Sequence, residues 1–345
     1  MTQDVICLIA PTASGKTALA YELYDTGRYH LISVDSALIY RDMNIGTAKP
    51  TAEELQQYPH ALVDIIDPDQ SYSVAQFVND AKREIDFAHA QGKTPVLVGG
   101  TLMYYMALLE GMNDIPATDP TVRQQVMAMI EVEGIESLHQ YLASVDPITA
   151  SRLNPTDTQR VGRAVEVYKQ TGRALSDWHA QPLTALADNP KQHWYILAVM
   201  PDRAWLHERI ALRLEMMWQQ GLIEEVVALT QKYRLHPDMP SMRCVGYRQV
   251  WDYLVNIQAE NTNDGVIGSE IDKQATTFSL PIVYSNENIV ARQAMENQAL
   301  YATRQLAKRQ YTWMRKLVSH PRLQQRHNLQ QLPTVEQAKA YILQL

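Results

Sequence analysis

The sequence predicts an α/β fold, in which a parallel sheet forms the core and an all-helical domain is inserted into it. Short apolar runs alternate with helical patterns as far as Gly111, as they do in strand-helix-strand units. Strand patterns then disappear until Trp194, and only helical spacing lies between. We therefore expect a core at 1–116 and 193–320, a helical insertion domain at 117–192, an irregular surface excursion at 255–290, and a tail at 321–345 with a short helix.

The first strand run, Val5 to Ile9, leads into a turn of small residues and a helix that opens at Lys16. This order is that of a P-loop, so the core is expected to be P-loop NTPase-like. Backbone N–H groups of such a turn bind phosphate at the positive end of the helix, and Lys16 adds a point charge. The Thr17 hydroxyl can hold a Mg²⁺ that bridges two phosphates. The residues expected to form the loop are Ala10, Pro11, Thr12, Ala13, Ser14, Gly15, Lys16 and Thr17.

The loop predicts a diphosphate or triphosphate ligand but leaves the chemistry open. Its first position is Ala10, where the usual pattern has glycine. The alternative interpretation is a chance Gly-Lys-Thr sequence at the start of a helix. The strand before the loop and the helix after it favour the functional interpretation.

Two further strand runs end in polar residues. Tyr29 to Val34 ends at Asp35, and Pro95 to Val98 ends in Gly99-Gly100-Thr101. Ligands in open α/β sheets lie beyond the carboxyl ends of strands, so Asp35 is a candidate acid-base group, or alternatively a simple helix N-cap. We expect the two glycines to let a ligand approach closely and Thr101 to offer a hydroxyl.

Other segments give weaker patterns. Leu62 to Ile66 is a weak strand candidate, and Ala204 to Lys232 has helical spacing with Arg209 and Arg213 on one face. Either arginine is suited to a diphosphate, and the alternative is surface salt bridges. A basic helix is expected from Ala291 to about Leu317. Helical spacing in the insertion domain covers Val122 to Glu133, Ile135 to Ser144, Ile148 to Leu153 and Thr158 to Gln170.

Charge is unevenly distributed along the chain. The net charge of −7 alone argues against a nucleic-acid partner, yet no acidic residue occurs from Asn297 to Val335. Tyr301, Tyr311 and Trp313 are interleaved with the basic residues of this segment, as in proteins that bind single-stranded RNA. A solvated helix face is the alternative. The basic residues are Arg304, Lys308, Arg309, Arg315, Lys316, Arg322 and Arg326.

Composition also limits the compartment and the kinds of site that we expect for the protein. The two cysteines, Cys7 and Cys244, are far apart and predict neither a disulfide framework nor a metal site. The longest uncharged run, Thr94 to Leu109, is shorter than a membrane span. No targeting segment is recognisable at the start of the sequence. We expect a monomer that acts in the cytoplasm, without a membrane partner.

Several motifs in order along the chain resemble bacterial tRNA dimethylallyltransferases, the IPP transferase family. They are Ala10-Pro-Thr-Ala-Ser-Gly-Lys-Thr17, Val34-Asp-Ser-Ala-Leu-Ile-Tyr40, Asn44-Ile-Gly-Thr-Ala-Lys-Pro50, Gly99-Gly-Thr101, Arg243-Cys-Val-Gly-Tyr-Arg248 and Ala302-Thr-Arg-Gln-Leu-Ala-Lys-Arg-Gln310. The resemblance runs to about Arg315. The excursion at 255–290 departs from it, because it is longer than the connection expected of the family.

The resemblance implies transfer of a dimethylallyl group from dimethylallyl diphosphate to N6 of the adenosine on the 3′ side of the anticodon. The tRNAs concerned read codons that begin with U, and the P-loop would hold the isoprenoid diphosphate rather than ATP. Asp35 would accept the N6 proton. Lys16, Thr101, Arg213 and Mg²⁺ would stabilise the leaving diphosphate.

The resemblance also implies contacts with the tRNA anticodon stem-loop, from which the target base must be flipped. The residues concerned are Asp35, Ser36, Ala37, Leu38, Thr101, Arg123, Gln159, Arg160, Val161, Gly162, Arg163, Arg243, Cys244, Val245, Gly246, Tyr247, Arg248, Lys308, Arg309, Gln310, Tyr311, Thr312, Trp313, Met314 and Arg315.

Three other functions remain open on the residues alone. An enzyme that prenylates free adenine nucleotides would need the P-loop and Asp35, but neither the insertion domain nor the basic helix. A P-loop kinase or NTPase would turn over ATP with Mg²⁺. An RNA-binding module with a vestigial phosphate loop would retain its properties when Asp35 is replaced.

Overall fold

A computed structural model of the chain describes residues 3–262, 277–278 and 286–345. The chain forms two compact units, one of Met1–Leu109 with Leu186–Leu345 and one of Glu110–Ala185. The second unit corresponds to the expected insertion domain, although its boundaries differ from 117–192. Residues after Leu186 join the core because a short 3₁₀ turn, Leu186–Asp188, leads directly into a strand that starts at Gln192.

The core is a sheet in which the six described strands are all parallel, in the order β3-β2-β4-β1-β5-β6. Strand β1 is central, and its residues Val5 to Ile9 are fully buried. Because the strands are parallel, the P-loop, Asp35 and Thr101 all follow carboxyl ends at one edge of the sheet. The strands are β1 Gln3–Ile9, β2 Tyr29–Val34, β3 His60–Ala61, β4 Thr94–Gly99, β5 Gln192–Val199 and β6 Asn328–Leu332.

Helices of the core unit cover the sheet. A further hydrophobic cluster of this unit lies around Trp251 and Tyr247. Within the described residues, each of these helices is too short or too polar to cross a bilayer. They are α1 Lys16–Asp25, α2 Ala52–Gln57, α3 Val74–Ala90, α4 Leu102–Glu110, α9 Arg203–Gln219, α10 Leu222–Lys232, α11 Tyr247–Thr262, α12 Asn286–Val318, α13 Pro321–Arg326 and α14 Val335–Ile342.

The helical unit packs α5 and α7 around Val126, Leu138, Leu142, Val161 and Val165. Where the sequence predicted two helices on either side of residue 134, the structure joins them as α5 with a break at Gly134, whose φ of 83° is non-helical. Glycine adopts this conformation at little cost. The helices of the unit are α5 Pro120–Val145, α6 Pro147–Ala150, α7 Thr158–Thr171 and α8 Leu175–His179.

The weak strand prediction at Leu62 to Ile66 is wrong. Only His60–Ala61 pairs with β2, and the chain then leaves the sheet because Leu62 and Asp64 have positive φ angles of 65° and 54°. The segment hydrogen-bonds instead to the turn after Asp35, where Ile65 N–H donates to the Ile39 carbonyl at 2.9 Å.

The predicted helix from Ala204 to Lys232 is two helices, α9 and α10, separated at Gly221 with φ of 94°. The break matters for the site, because α10 then directs Glu225 towards the Asn44–Gly46 loop. Similarly, the excursion expected from Val255 to Val290 is shorter than predicted. Helix α11 continues to Thr262 and α12 begins at Asn286, while 263–276 and 279–285 lie outside the described residues.

Residues 321–345 are part of the core and not the tail that the sequence predicted. Strand β6 pairs with β5, and α14 buries Ala338 and Ile342 against the sheet. The Tyr29 hydroxyl donates to the Ile342 carbonyl at 3.3 Å. Strand β6 was missed because Asn-Leu-Gln-Gln-Leu lies at the edge of the sheet, where apolar side chains are not required on both faces.

Candidate active site

The phosphate loop joins β1 to α1 and leaves backbone donors free. Ala13 and Gly15 have φ angles of 61° and 89°, which turn the chain into the first turn of α1. Among the described residues, no acceptor receives the N–H groups of Ala13, Ser14 or Gly15. Successive free N–H groups at the start of a helix form an anion site. The loop is therefore built to bind phosphate.

Two cations lie beside this loop. The pKa of Lys16 is lowered to about 8, mainly by burial; the nearby Asp35 carboxylate opposes this shift, and the Arg213 charge adds to it. Burial likewise lowers the pKa of Arg213, whose Nη1 donates to the Thr12 hydroxyl at 3.4 Å. Because both cations are partly buried, a bound diphosphate would interact with them more strongly than with cations in open solvent. Arg209, also predicted, is exposed one turn away.

Asp35 lies at the carboxyl end of β2, and its two carboxylate oxygens differ. Oδ1 accepts N–H bonds from Ala37 at 2.9 Å and Leu38 at 3.4 Å. No described residue donates to Oδ2, so this oxygen is free to accept a proton from a ligand. The N-cap-like role thus falls on Oδ1 and leaves Oδ2 available for the acid-base role expected from the sequence.

Two neutral side chains, Tyr104 and Cys244, also lie near Asp35. Burial, with a contribution from the Asp35 charge, raises the pKa of Tyr104 to about 12 and the pKa of Cys244 to about 12. Tyr104 stacks on Phe77, with ring centroids 4.1 Å apart. Both groups remain protonated near neutral pH, and Cys244 is therefore an apolar neighbour of the carboxylate and not a nucleophile.

Thr101 holds the turn that follows Asp35. Its Oγ1 accepts the Ser36 N–H at 3.0 Å and lies 3.4 Å from the Ser36 hydroxyl. The expectation for the preceding glycines is wrong, because protein atoms fill the space above them. A Cβ on Gly99 would clash with the Val34 carbonyl, and one on Gly100 with the Gln310 side chain. The glycines allow protein segments, and not a ligand, to approach.

Two residues make contacts that were not predicted from the sequence, although Gln310 was expected as an RNA contact. Gln310 accepts the Thr12 N–H at 3.1 Å and donates to the Gly100 carbonyl at 3.0 Å. Glu225 accepts N–H bonds from Asn44, Ile45 and Gly46 at 3.0, 2.7 and 3.2 Å. Gln310 was quoted as part of a motif, but no sequence signal identifies the partner of either residue, because these contacts join distant segments.

A cavity of about 710 Å³ opens beside the phosphate loop, between α1, α9 and the start of α14. Ser14, whose buried hydroxyl has no partner among the described residues, lies on its wall with Trp205 and Arg209. Val335 and Lys339 form the opposite side. The segment predicted as a tail therefore lines a cavity next to the loop.

The residues predicted to bind RNA in the helical unit are of two kinds. Gln159 and Arg160 are exposed on α7, whereas Val161 and Gly162 are buried against α5 and cannot reach a partner. Arg163 is bonded within the unit, to the Pro116 carbonyl at 2.9 Å and to the Thr118 hydroxyl. Arg123 lies 3.4 Å from the Glu166 carboxylate and stays about half exposed.

The residues of the segment Arg243 to Arg248 also differ in their exposure. Tyr247 is fully buried and donates to Glu225 at 2.6 Å, so its prediction as an RNA contact is wrong. Gly246 is buried as well, with φ of 93°. Arg243 is exposed near Asp238, and Arg248 is bonded to Asp252 and to the Pro237 carbonyl. Cys244 and Val245 are half-buried.

Helix α12 presents its cations on one face. Lys308, Arg309 and Arg315 are exposed, and no described carboxylate lies within ion-pair distance of them. Thr312 and Trp313 share this exposed face, with the Lys316 ammonium over the Trp313 ring at 5.2 Å. In contrast, the predictions for Tyr311 and Met314 are wrong, because both are buried. Gln310 faces the phosphate loop.

A magnesium ion would need ligands beyond the protein. No group of three His, Cys, Asp or Glu side chains suited to a metal occurs among the described residues. Thr17, at the start of α1, is exposed and its hydroxyl has no described partner. This donor set fits Mg²⁺, which keeps several waters and binds through substrate phosphates with few protein ligands.

Comparisons with known proteins identify the family of this chain. A family model described as IPP transferase matches residues 38–317. A curated tRNA dimethylallyltransferase from Psychrobacter sp. (strain PRwf-1) is 61% identical over 316 residues, which are 91% of this chain and 85% of that protein. A eukaryotic dimethylallyltransferase acting on tRNA shares the fold, with a TM-score of 0.72 at 22% identity, over 97% of this chain and 75% of that chain.

A crystal structure of the full-length tRNA isopentenylpyrophosphate transferase from Bacillus halodurans is also similar. It has 28% sequence identity and a TM-score of 0.59, and the match covers 99% of this chain and 94% of that chain. These matches extend over both the sheet and the helical unit. The predicted α/β fold and the resemblance noted from the motifs are thereby confirmed. The chain belongs to the IPP transferase family.

Proposed function

We propose that this chain transfers a dimethylallyl group from dimethylallyl diphosphate to N6 of the adenosine 3′ to the anticodon. The acceptors are tRNAs that read codons beginning with U, and the products are N6-isopentenyladenosine and diphosphate. One observation carries the proposal: Asp35, with one free carboxylate oxygen, is electrostatically coupled to Lys16 of an open phosphate loop. The names of the curated relatives support the same substrates.

The acceptor needs a base. An adenine amine is a poor nucleophile, because its lone pair is delocalised into the ring. Oδ2 of Asp35 accepts the N6 proton while the bond from N6 to the first carbon of the dimethylallyl group forms. The bond from that carbon to the diphosphate oxygen breaks, and its electron pair leaves with the diphosphate. Tyr104 and Cys244 stay neutral beside this carboxylate and do not compete for the proton.

The leaving group needs positive charge and hydrogen-bond donors. The N–H groups of Ala13 to Gly15 bind the diphosphate, and Lys16 and Arg213 neutralise the charge that develops on it. Mg²⁺, bound through Thr17 and the diphosphate, would supply further charge neutralisation. We assign Thr101 a supporting role, because its hydroxyl is occupied by Ser36 and positions the turn that carries Asp35.

The acceptor RNA binds through exposed cations. The face of α12 with Lys308, Arg309 and Arg315 combines unpaired charge with Trp313, which suits the phosphates and unstacked bases of an anticodon loop. Gln159 and Arg160 offer a second exposed patch on α7. We further propose that the protein acts as a monomer in the cytoplasm.

The test is incubation of the protein with Mg²⁺, labelled dimethylallyl diphosphate and an unmodified anticodon stem-loop, with AMP as a competing acceptor. Label in the RNA alone is the expected result. Label in AMP to a similar extent would replace the proposal with a nucleotide prenyltransferase. If neither acceptor is labelled and ATP is hydrolysed in a parallel reaction, the phosphate loop serves an NTPase and the proposal is wrong.

A further inference from the structure

Gln310 projects from α12 towards the sheet and makes two hydrogen bonds with its single amide group. Its Oε1 accepts the Thr12 N–H at 3.1 Å, and its Nε2 donates to the Gly100 carbonyl at 3.0 Å. The two partners follow the neighbouring strands β1 and β4. One side chain thus bridges the ends of two strands.

Both ends of this bridge lead to groups used in the reaction. Thr12 lies in the phosphate loop, and its hydroxyl also accepts a hydrogen bond from Arg213. Gly100 precedes Thr101, which holds the Ser36 N–H and hence the turn that carries Asp35. The distance between the diphosphate and the proton acceptor therefore depends on two segments that Gln310 ties together.

The position of the Gln310 amide is tightly specified. A Cβ on Gly100 would clash with Nε2 of Gln310 and would lie 3.0 Å from the Ala10 carbonyl, so only glycine admits the bridge. The next residue, Tyr311, anchors the same turn of α12 because its hydroxyl donates to the Pro201 carbonyl, beyond the end of β5. One turn of α12 is thus bonded to segments that follow three strands.

The solvent-exposed side of the same part of α12 carries Lys308, Arg309 and Trp313. RNA bound there would restrain the part of α12 whose inner side chain holds Thr12 and Gly100. No other described side chain hydrogen-bonds the Thr12 N–H. Gln310 therefore connects the helix that carries this cationic surface to the phosphate loop by one hydrogen bond and to Gly100 by another.

We propose that Gln310 is a positioning residue that couples RNA binding on α12 to diphosphate binding in the P-loop. The proposal rests on the function proposed above and deepens it. RNA bound to α12 favours the arrangement of Thr12 and Gly100 in which the loop accepts the diphosphate. By linkage, the diphosphate tightens RNA binding by the same factor.

The experiment measures dissociation constants for dimethylallyl thiolodiphosphate, an unreactive analogue, with Mg²⁺ and with or without a saturating unmodified anticodon stem-loop. In the unaltered protein we expect RNA to tighten analogue binding about 5-fold or more, within the usual range of coupling between sites. In Gln310→Met, which keeps the length of the side chain but not its hydrogen bonds, we expect the ratio to fall to about 1.

Two controls separate coupling from folding. Gln298→Met makes the same chemical change at an exposed position of α12 and should keep the full coupling ratio. Gln310→Glu keeps an acceptor for the Thr12 N–H but places a carboxylate oxygen against the Gly100 carbonyl, so its ratio should fall as in Gln310→Met, while its added charge weakens analogue binding with and without RNA. Stem-loop affinity in the absence of analogue should stay within about twofold of the unaltered protein in all three variants, which shows that α12 is folded.

A coupling ratio in Gln310→Met equal to that of the unaltered protein would overturn the proposal and leave the bridge as packing. A ratio of 1 in the unaltered protein would overturn it as well. Failure of the proposed function would look different: the labelled dimethylallyl group would not enter RNA in the transfer assay, whatever the ratios. In the transfer assay at saturating dimethylallyl diphosphate, Gln310→Met should raise the KM for the stem-loop about 5-fold, as linkage requires, and lower kcat by less.

Discussion

Two loops in the core unit present successive backbone N–H groups, and they are used in opposite ways. In the phosphate loop, the N–H groups of Ala13, Ser14 and Gly15 have no described acceptor. In the Asn44–Gly46 loop, all three N–H groups bind the carboxylate of Glu225. The same arrangement of donors is thus open to an outside anion in one place and closed by the protein's own anion in the other.

The difference separates function from stability. A loop whose donors are already satisfied contributes hydrogen bonds to the folded state. Glu225 also accepts the Tyr247 hydroxyl, and Gly46 lies so close to Tyr247 that an added Cβ would be 2.5 Å from its ring. The motif Asn44–Pro50 therefore joins two parts of the core. The open N–H donors of the phosphate loop, in contrast, are available to the substrate. Their loss should affect substrate binding and turnover more than folding.

The largest effect is expected at the open loop's neighbour, Asp35. Asp35→Asn retains the oxygen that accepts the Ala37 and Leu38 N–H groups but removes the proton acceptor. Turnover should fall about 10²- to 10⁴-fold, as expected for loss of general-base catalysis. Single-turnover transfer to the stem-loop measures it. RNA affinity and melting temperature serve as controls, and a parallel loss of RNA affinity would make Asp35 an RNA contact instead.

The next effect concerns the closed loop. Glu225→Ala leaves three backbone N–H groups and the Tyr247 hydroxyl without their acceptor. We expect the free energy of unfolding to drop by about 3 kcal/mol, since each unsatisfied buried donor costs about 1–3 kcal/mol and water will satisfy some of them. Urea denaturation measures the change. The exposed neighbour provides the matched variant, Glu224→Ala, and an equal loss there would refute the assignment.

A smaller effect is expected from the protonation of Lys16. Burial lowers its pKa to about 8, so the ammonium is present below that pH and is lost above it. Affinity for the thiolodiphosphate should therefore fall about tenfold per pH unit above pH 8, with proton uptake on binding. Calorimetry at several pH values measures this. Lys16→Arg keeps its charge, and a decline of equal steepness in that variant would point to another titrating group.

The smallest effect is expected on the exposed face of α12. Arg309 has no described carboxylate partner, so Arg309→Ala should weaken stem-loop binding without affecting the thiolodiphosphate. If Arg309 contacts a phosphate, the slope of log affinity against log salt concentration should decrease by about 0.7–1. Titrations over a range of salt concentrations measure it. An unchanged slope would place Arg309 on the solvated surface.

The sequence alone was sufficient to predict the features that depend on a local pattern of residues. The strand before the phosphate loop, Lys16 at the start of α1 and Asp35 at the end of β2 follow from apolar runs and turn residues. Features that depend on distant pairing were not accessible. Strand β6 is polar and Glu225 lies on an ordinary amphipathic helix, so nothing local distinguishes them.

The exposure of individual side chains was the other feature that could not be predicted from the sequence. Residues of one motif were expected to share one role, yet Tyr247 is buried while Arg243 in the same motif is exposed. On α12, Gln310 and Arg309 are neighbours in sequence but point in different directions, because successive residues of a helix are about 100° apart around its axis. The sequence alone placed both on the RNA face, because the side of α12 that meets the sheet is set by packing.

The Thr12–Gln310 bond spans 298 residues of the chain, and this separation has a consequence for biosynthesis. A ribosome that has released the P-loop must add nearly the whole core before the loop receives its partner. Contacts between such distant segments slow folding, because the intervening chain must be ordered first. The nascent enzyme is therefore expected to acquire its substrate site only in the last stage of synthesis, after α12 has emerged.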